Sequence, residues 1–245
     1  MKLLRAAGKL VRGTGHAISG LLTIWLRFPA LTTAQREARV TVWAARMLAI
    51  MDIELVVKGA PCASGPMLLV ANHISWLDIV VMHSARYCRF VAKADMKHWP
   101  LVGMLATGAG TLYIERESRR DAMRVVHHMA DSLRAGEVVA VFPEGTTSDG
   151  LALLPFHANL IQAAISAEAP VQPIALKFVD AATGEYSGAP NYIGDDTLIG
   201  SIWRTLTAPR LAAVVTYGAP QTADGRDRRA WAKDLRDAVE GLRAS

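Results

Sequence analysis

Residues 67–81 read MLLVANHISWLDIVV, and the order of their polarity decides the fold. Residues 67–72 are a short apolar run of the kind that forms a strand buried on both faces. A helix-compatible stretch, SWLDIVVMHSA (75–85), follows it. The junction holds Asn72, His73 and, five positions after the histidine, Asp78. Positions five apart on a regular helix are rotated by about 140°, so the pair does not share a helix face. The two side chains meet if His73 lies in the turn before the helix and Asp78 within its first turns. The carboxylate would then accept from one ring nitrogen, fix the tautomer and leave the other nitrogen to take a proton. The same spacing fits a polar loop between two buried elements, and at this point both readings stand.

Working outward, strand and helix patterns alternate. CRFVAK (88–93) reads as a strand, a helical piece reaches to about Thr107, and GTLYIER (110–116) is strand again. The next helix has Ser118 as a cap, Ala122, Val125, Val126, Met129 and Leu133 on one face, and Gly136 as its stop. EVVAVFPEG (137–145) is a strand ending in a turn, ANLIQAAISA (158–167) a helix and VQPIALKFVD (171–180) a strand. RLAAVVTYGAP (210–220) is a late strand, and the tail from Arg226 is an amphipathic helix. This alternation predicts an α/β fold: a single mixed, largely parallel sheet covered by helices. The first 60 residues read as mostly helical, with an apolar stretch at 16–30 and a second helix from Thr33. VKGAPCASGP (57–66) has the Gly and Pro density of a boundary. The expected organisation is therefore a helical arm, 1–60, and an α/β domain, 61–245, without internal repeats.

Charge separates the same two parts. Of a net +5 over 245 residues, residues 1–60 hold nine Lys or Arg against three acids. Basic residues interleaved with Leu, Ile, Trp and Phe fit an anionic membrane surface. Nucleic acid is not an expected partner, because no recognition motif accompanies the charge. The chain is 51% hydrophobic with a mean hydropathy of +0.21. Arg27 and Pro29 nonetheless break its best apolar stretch below transmembrane length. Arg27 and the lack of a small-residue cleavage site also argue against a signal peptide. Cys62 and Cys88 have neither metal spacing nor a disulfide pattern.

Reactive groups in open α/β sheets gather where strands end. Three strand ends carry polar residues: Asn72-His73, Glu115-Arg116 and Glu144-Gly145-Thr146. The last is a turn whose N–H groups and hydroxyls would hold an anion, and Arg116 would add a bidentate partner for phosphate or carboxylate. A turn with a charged rim is the plain alternative. The chain has no nucleophile elbow, Walker A loop, dinucleotide fingerprint or H-E-x-x-H, and Ser75 is the nearest hydroxyl to His73. His127 and His128 fall in a helical pattern and read as solvated or partly buried.

NHISWLD (72–78) resembles the N-H-x-x-x-x-D signature of the glycerolipid acyltransferase superfamily. GTLYIER resembles its second block, FPEGTTS (142–148) its third, and VQPIAL (171–176) its fourth, all in the family's order. The family resembled is that of 1-acylglycerol-3-phosphate acyltransferases, the PlsC-like bacterial enzymes. The resemblance implies transfer of a fatty acyl group from acyl-CoA or acyl-carrier protein to a lysolipid hydroxyl, without an acyl-enzyme. It makes His73 the general base and Asp78 its orienting partner. Asn72, Ser75, Arg116, Glu144, Gly145 and Thr146 then bind substrate, chiefly the acceptor's polar head. No metal or redox cofactor is expected, and the arm resembles a membrane-attached helical pair on the cytoplasmic face of the inner membrane. Two departures bear on the acceptor. Thr147 stands where the family usually has Arg, and His157 in PFHANL (155–160) where Lys is common. Either Arg116, helped by a protonated His157, suffices for a phosphomonoester, or the acceptor is another lysolipid such as lyso-ornithine lipid. A hydrolase in which His73 activates water and a non-catalytic membrane-surface protein are the competing classes.

Overall fold

The computed structural model describes residues 2–114 and 119–244. The arm is two helices, α1 (Lys2–Leu26) and α2 (Thr33–Met51). Thr32 starts α2 with a reciprocal capping box to Gln35. The helices are latched midway: Trp43 Nε1 donates to the His16 carbonyl at 3.1 Å, and His16 Nε2 lies 3.0 Å from the Trp43 carbonyl. Asp52, in the left-handed region at φ 62°, turns the chain out of α2 and into β1 (Ile53–Lys58). Residues 53–58, grouped above with the helical arm, are thus a sheet strand. Its burial fades along its length, as befits an edge, and that hides it from a hydropathy reading.

From there the chain runs β2 (Met67–Ala71), α3 (Leu77–Ala85), β3 (Arg89–Lys93), a 3₁₀ turn (Ala94–His98), α4 (Val102–Gly108) and β4 (Leu112–Ile114). It continues through α5 (Arg119–Arg134), β5 (Val138–Val141), α6 (Ala158–Ala167), β6 (Val171–Asp180), α7 (Leu198–Thr207), β7 (Leu211–Tyr217) and α8 (Arg228–Ala244). The bounds of α6 and β6 match the sequence reading residue for residue, whereas α7 was not anticipated. Ser118, expected to cap α5, lies outside the described residues. His127 and His128 are exposed on α5, and both cysteines are free thiols.

Among the described residues the sheet has seven strands in the order β1-β7-β6-β2-β5-β3-β4. Every pairing is parallel except β6 with β7. Strand side chains alternate between two cores. Met67, Leu69, Ala140, Ile174 and Leu176 face one side, with Leu48 of α2 and Leu77 of α3. Leu68, Val70, Val139 and Val141 face the other, with Met129 of α5, Ile161 of α6 and Trp231 of α8. The continuous apolar run of β2 is explained by this cover on both faces. The register pairs Val70 with Val141, so the residues after β2 and after β5 emerge side by side. Trp231 is fully enclosed. Trp231→Ala is expected to lower unfolding stability by about 3–5 kcal/mol, read from urea titrations of the purified protein.

Candidate active site

Asp78 sits in the first turn of α3, completely buried, and one of its oxygens organises the junction. Oδ2 accepts from Ile74 N at 2.7 Å and Ser75 N at 2.9 Å, and it lies 2.8 Å from His73 Nδ1. An ionised carboxylate only accepts, so the imidazole proton is on Nδ1 and the Nε2 lone pair is left for chemistry. Oδ1 is enclosed with no hydrogen-bond partner among the described residues, so Asp78 is held through Oδ2 alone. The ring itself is fixed by stacking on Phe142, with centroids 4.0 Å apart and planes 6° from parallel.

Residues that follow β5 hold the His73 backbone. Its N–H donates to Glu144 Oε1 at 2.8 Å, and its carbonyl accepts from Ser148 N at 2.9 Å. Glu144 is only 3% exposed, and its second oxygen accepts from Leu154 N at 2.9 Å. Burial pushes this carboxyl above its ordinary range, against the opposing pull of the two backbone donors. Asn72 is fully buried and bridges β2 to β6: Nδ2 donates to the Leu176 carbonyl at 3.0 Å, and Oδ1 accepts from Leu176 N at 2.7 Å. Ser75, equally buried, donates to the Pro190 carbonyl at 2.5 Å and accepts from Leu77 N at 3.2 Å.

The structure thus brings His73, Asp78, Asn72, Ser75, Glu144, Gly145 and Thr146 together, but it divides their roles. The side-chain polar atoms of Asn72, Ser75 and Glu144 were expected to face substrate and instead bond to the protein. Gly145 takes φ 74°, a conformation open to glycine, and its N–H donates to the Phe142 carbonyl at 3.1 Å instead of lining an anion cradle. Thr146 is exposed and lines the same cavity as His73. Arg116 and Glu115 lie outside the described residues. His157 is exposed at the start of α6, away from the cavity walls described next.

His73, Phe142 and Thr146 edge a cavity of about 690 Å³ that runs beneath α1 and α2 and is walled by α3, α4, β3 and α7. Its surface is mainly apolar, and among the described residues the charged side chains on it are Lys9, Arg39, Arg46 and Lys93, with no carboxylate. Sequence reasoning missed His83, a buried wall residue packed edge-on to Phe90 and stacked on Tyr87. Burial pushes its pKa down to about 4, so at neutral pH it adds no charge. Its only sequence signal was its place one turn beyond Asp78 on an apolar helix.

A hydrogen-bonded His and Asp thus stand at a strand end, with the His on the lining of a mainly apolar cavity. The family model described as Acyltransferase matches residues 51–177. A 1-acyl-sn-glycerol-3-phosphate acyltransferase of Neisseria gonorrhoeae is 39% identical over 79% of this chain and 74% of its own length. A lyso-ornithine lipid O-acyltransferase of Pseudomonas aeruginosa is 35% identical over 97% of this chain and 91% of its own. The crystal structure of PlsC, the 1-acyl-sn-glycerophosphate acyltransferase of Thermotoga maritima, superposes with a TM-score of 0.69. It covers 100% of this chain and 99% of that one at 19% identity, a likeness of fold. The chain belongs to the acyltransferase family.

Replacing Glu144 tests how the loop that carries His73 is held. Glu144→Gln turns one acceptor oxygen into a donor, so either His73 N or Leu154 N loses its partner. The expected cost is about 1–3 kcal/mol, measured by urea unfolding at neutral pH.

Proposed function

We propose that this acyltransferase moves a fatty acyl group from acyl-CoA or acyl-carrier protein to the hydroxyl of a lysolipid, with His73 as general base. The single observation that carries this reading is the His73–Asp78 pair, with its Nε2 left open at the edge of an apolar cavity. Nε2 takes the hydroxyl proton as the lysolipid oxygen attacks the thioester carbonyl. The tetrahedral intermediate collapses with loss of the thiolate, which recovers the proton from the imidazolium, and Asp78 stabilises that cation. The mainly apolar cavity suits an acyl chain, and neutral His83 adds no charge to its wall. Asn72, Ser75 and Glu144 serve as positioning residues in this scheme.

The simplest acceptor is 1-acylglycerol-3-phosphate, which would give phosphatidic acid. A lyso-ornithine lipid is the second reading, favoured by the Pseudomonas aeruginosa relative that aligns over nearly the whole chain. The assay is free thiol released from palmitoyl-CoA by purified protein in detergent, with each acceptor offered separately. His73→Ala is expected to reduce release by at least about a hundredfold while leaving the thermal unfolding midpoint close to that of the parent. Surviving activity would remove His73 from the mechanism, and release that needs no acceptor would mark a hydrolase.

The reading also places the protein at a membrane surface, on the cytoplasmic face of the inner membrane. No described helix is long and apolar enough to cross a membrane. α1 nevertheless exposes Ile18, Leu22 and Trp25, with Trp25 75% accessible, on the arm that covers the cavity. Leu22→Glu with Trp25→Glu is expected to reduce co-sedimentation with anionic liposomes several-fold while sparing thiol release in detergent. Undiminished sedimentation would place the attachment elsewhere.

A further inference from the structure

Residues 187–197, SGAPNYIGDDT, have no periodicity, yet the structure lashes them across the site. Behind the strap, the Pro190 carbonyl accepts from both Ser75 and Ser201, at 2.5 and 3.3 Å. Trp76 Nε1 donates to Ser201 Oγ at 3.1 Å, tying α7 to the helix that carries Asp78. Arg204 of α7 donates to the Ala189 carbonyl at 3.1 Å, to the Asn191 carbonyl, and in a fork to Asp196 at 3.1 and 2.9 Å. In front, Tyr192 is held on both sides by the catalytic loops. Its N–H donates to the Ile74 carbonyl at 3.2 Å, and its carbonyl accepts from Thr147 Oγ1.

Tyr192 therefore has a backbone fixed to the residue after His73 and to the turn after Glu144. It lines the cavity with His73, Thr146 and Thr147, and it is half-buried. Its phenol has no hydrogen-bond partner among the described residues, whereas the Thr147 hydroxyl is engaged by the strap. A phenol donates well to an anionic oxygen. The head group of an acceptor whose hydroxyl reaches His73 Nε2 must lie at this same mouth.

We propose that the strap is the acceptor-selecting wall of the site, with the Tyr192 phenol donating a hydrogen bond to an anionic oxygen of the lysolipid head group. This rests on the lysolipid reading above. The oxygen is a phosphate in 1-acylglycerol-3-phosphate and a carboxylate in lyso-ornithine lipid, and the two acceptors form separate arms of the test.

The experiment is steady-state thiol release with the full chain, varying palmitoyl-CoA and each acceptor in turn. Tyr192→Phe removes one oxygen and is expected to raise KM for the productive acceptor about tenfold, at the low end for a hydrogen bond to a charged group. KM for palmitoyl-CoA and the thermal midpoint should stay near the parent's. Thr147→Val, which unpins the strap, should raise the same KM, and Thr147→Ser should restore it. Acceptor KM unmoved by Tyr192→Phe, or both KM values moved equally, overturns the proposal while leaving transfer itself in place. If the unaltered protein shows no lysolipid-dependent release, the proposal falls together with the reading beneath it.

Discussion

One carboxylate oxygen is the constraint on which the site depends. Asp78 Oδ2 collects two backbone N–H groups and the imidazole N–H of His73, all within 2.9 Å, in a setting closed to water. The two backbone bonds shape the loop that leads into α3, and the third aims the ring. Loop conformation and the orientation of the His73 ring are therefore one equilibrium. Charge-assisted bonds of this kind are roughly twice as strong as neutral ones, and their loss would leave buried donors unpaired. Glu144 repeats the device one strand away. It too is a buried carboxylate accepting from backbone, and it holds the peptide of His73 in place of the ring.

These two acids explain how His73 is held beside a mainly apolar cavity. The rings of His73, Phe142 and Phe90 stack in succession, and His83 meets Phe90 edge-on. The ladder begins at the polar mouth and ends at a histidine that burial keeps neutral. Polarity thus falls away from Asp78 along a single row of aromatic groups.

Much of this was legible in the sequence, for a physical reason: the central strands are buried on both faces, so their apolar runs are unbroken. The junction of β2 and α3 stood out because polar residues interrupt such a run. β1 escaped notice because IELVVK lies at an edge, with Glu54 and Lys58 in contact with water. α7 escaped because it directly follows a segment without periodicity, to which its Ser201 and Arg204 bond. Motif reading grouped Asn72, Ser75 and Glu144 with His73, but it could not tell whether their side chains face a ligand or the protein. That depends on Leu176, Pro190 and Leu154, each distant in sequence or unremarkable in type. The strap was illegible for the same reason, since only long-range hydrogen bonds give it a position.

The antiparallel pairing of β6 with β7 accounts for the strap and the arm together. β2, β5, β3 and β4 run one way, and β6 runs with them. β6 pairs Ile174 with Ala71 and continues to Asp180, past the level at which β2 gives way to His73. Because β7 returns antiparallel, pairing Asp180 with Leu211, the connection between them begins and ends at the catalytic edge. The strap and α7 have nowhere else to lie. β1 follows the direction of β7, pairing Ile53 with Leu211, so α2 must also deliver the chain to that edge. Had β7 run parallel to β6, the connection would have crossed to the opposite edge, away from His73. One reversal of strand direction thus places the two arm helices, the strap and α7 on the same side as His73.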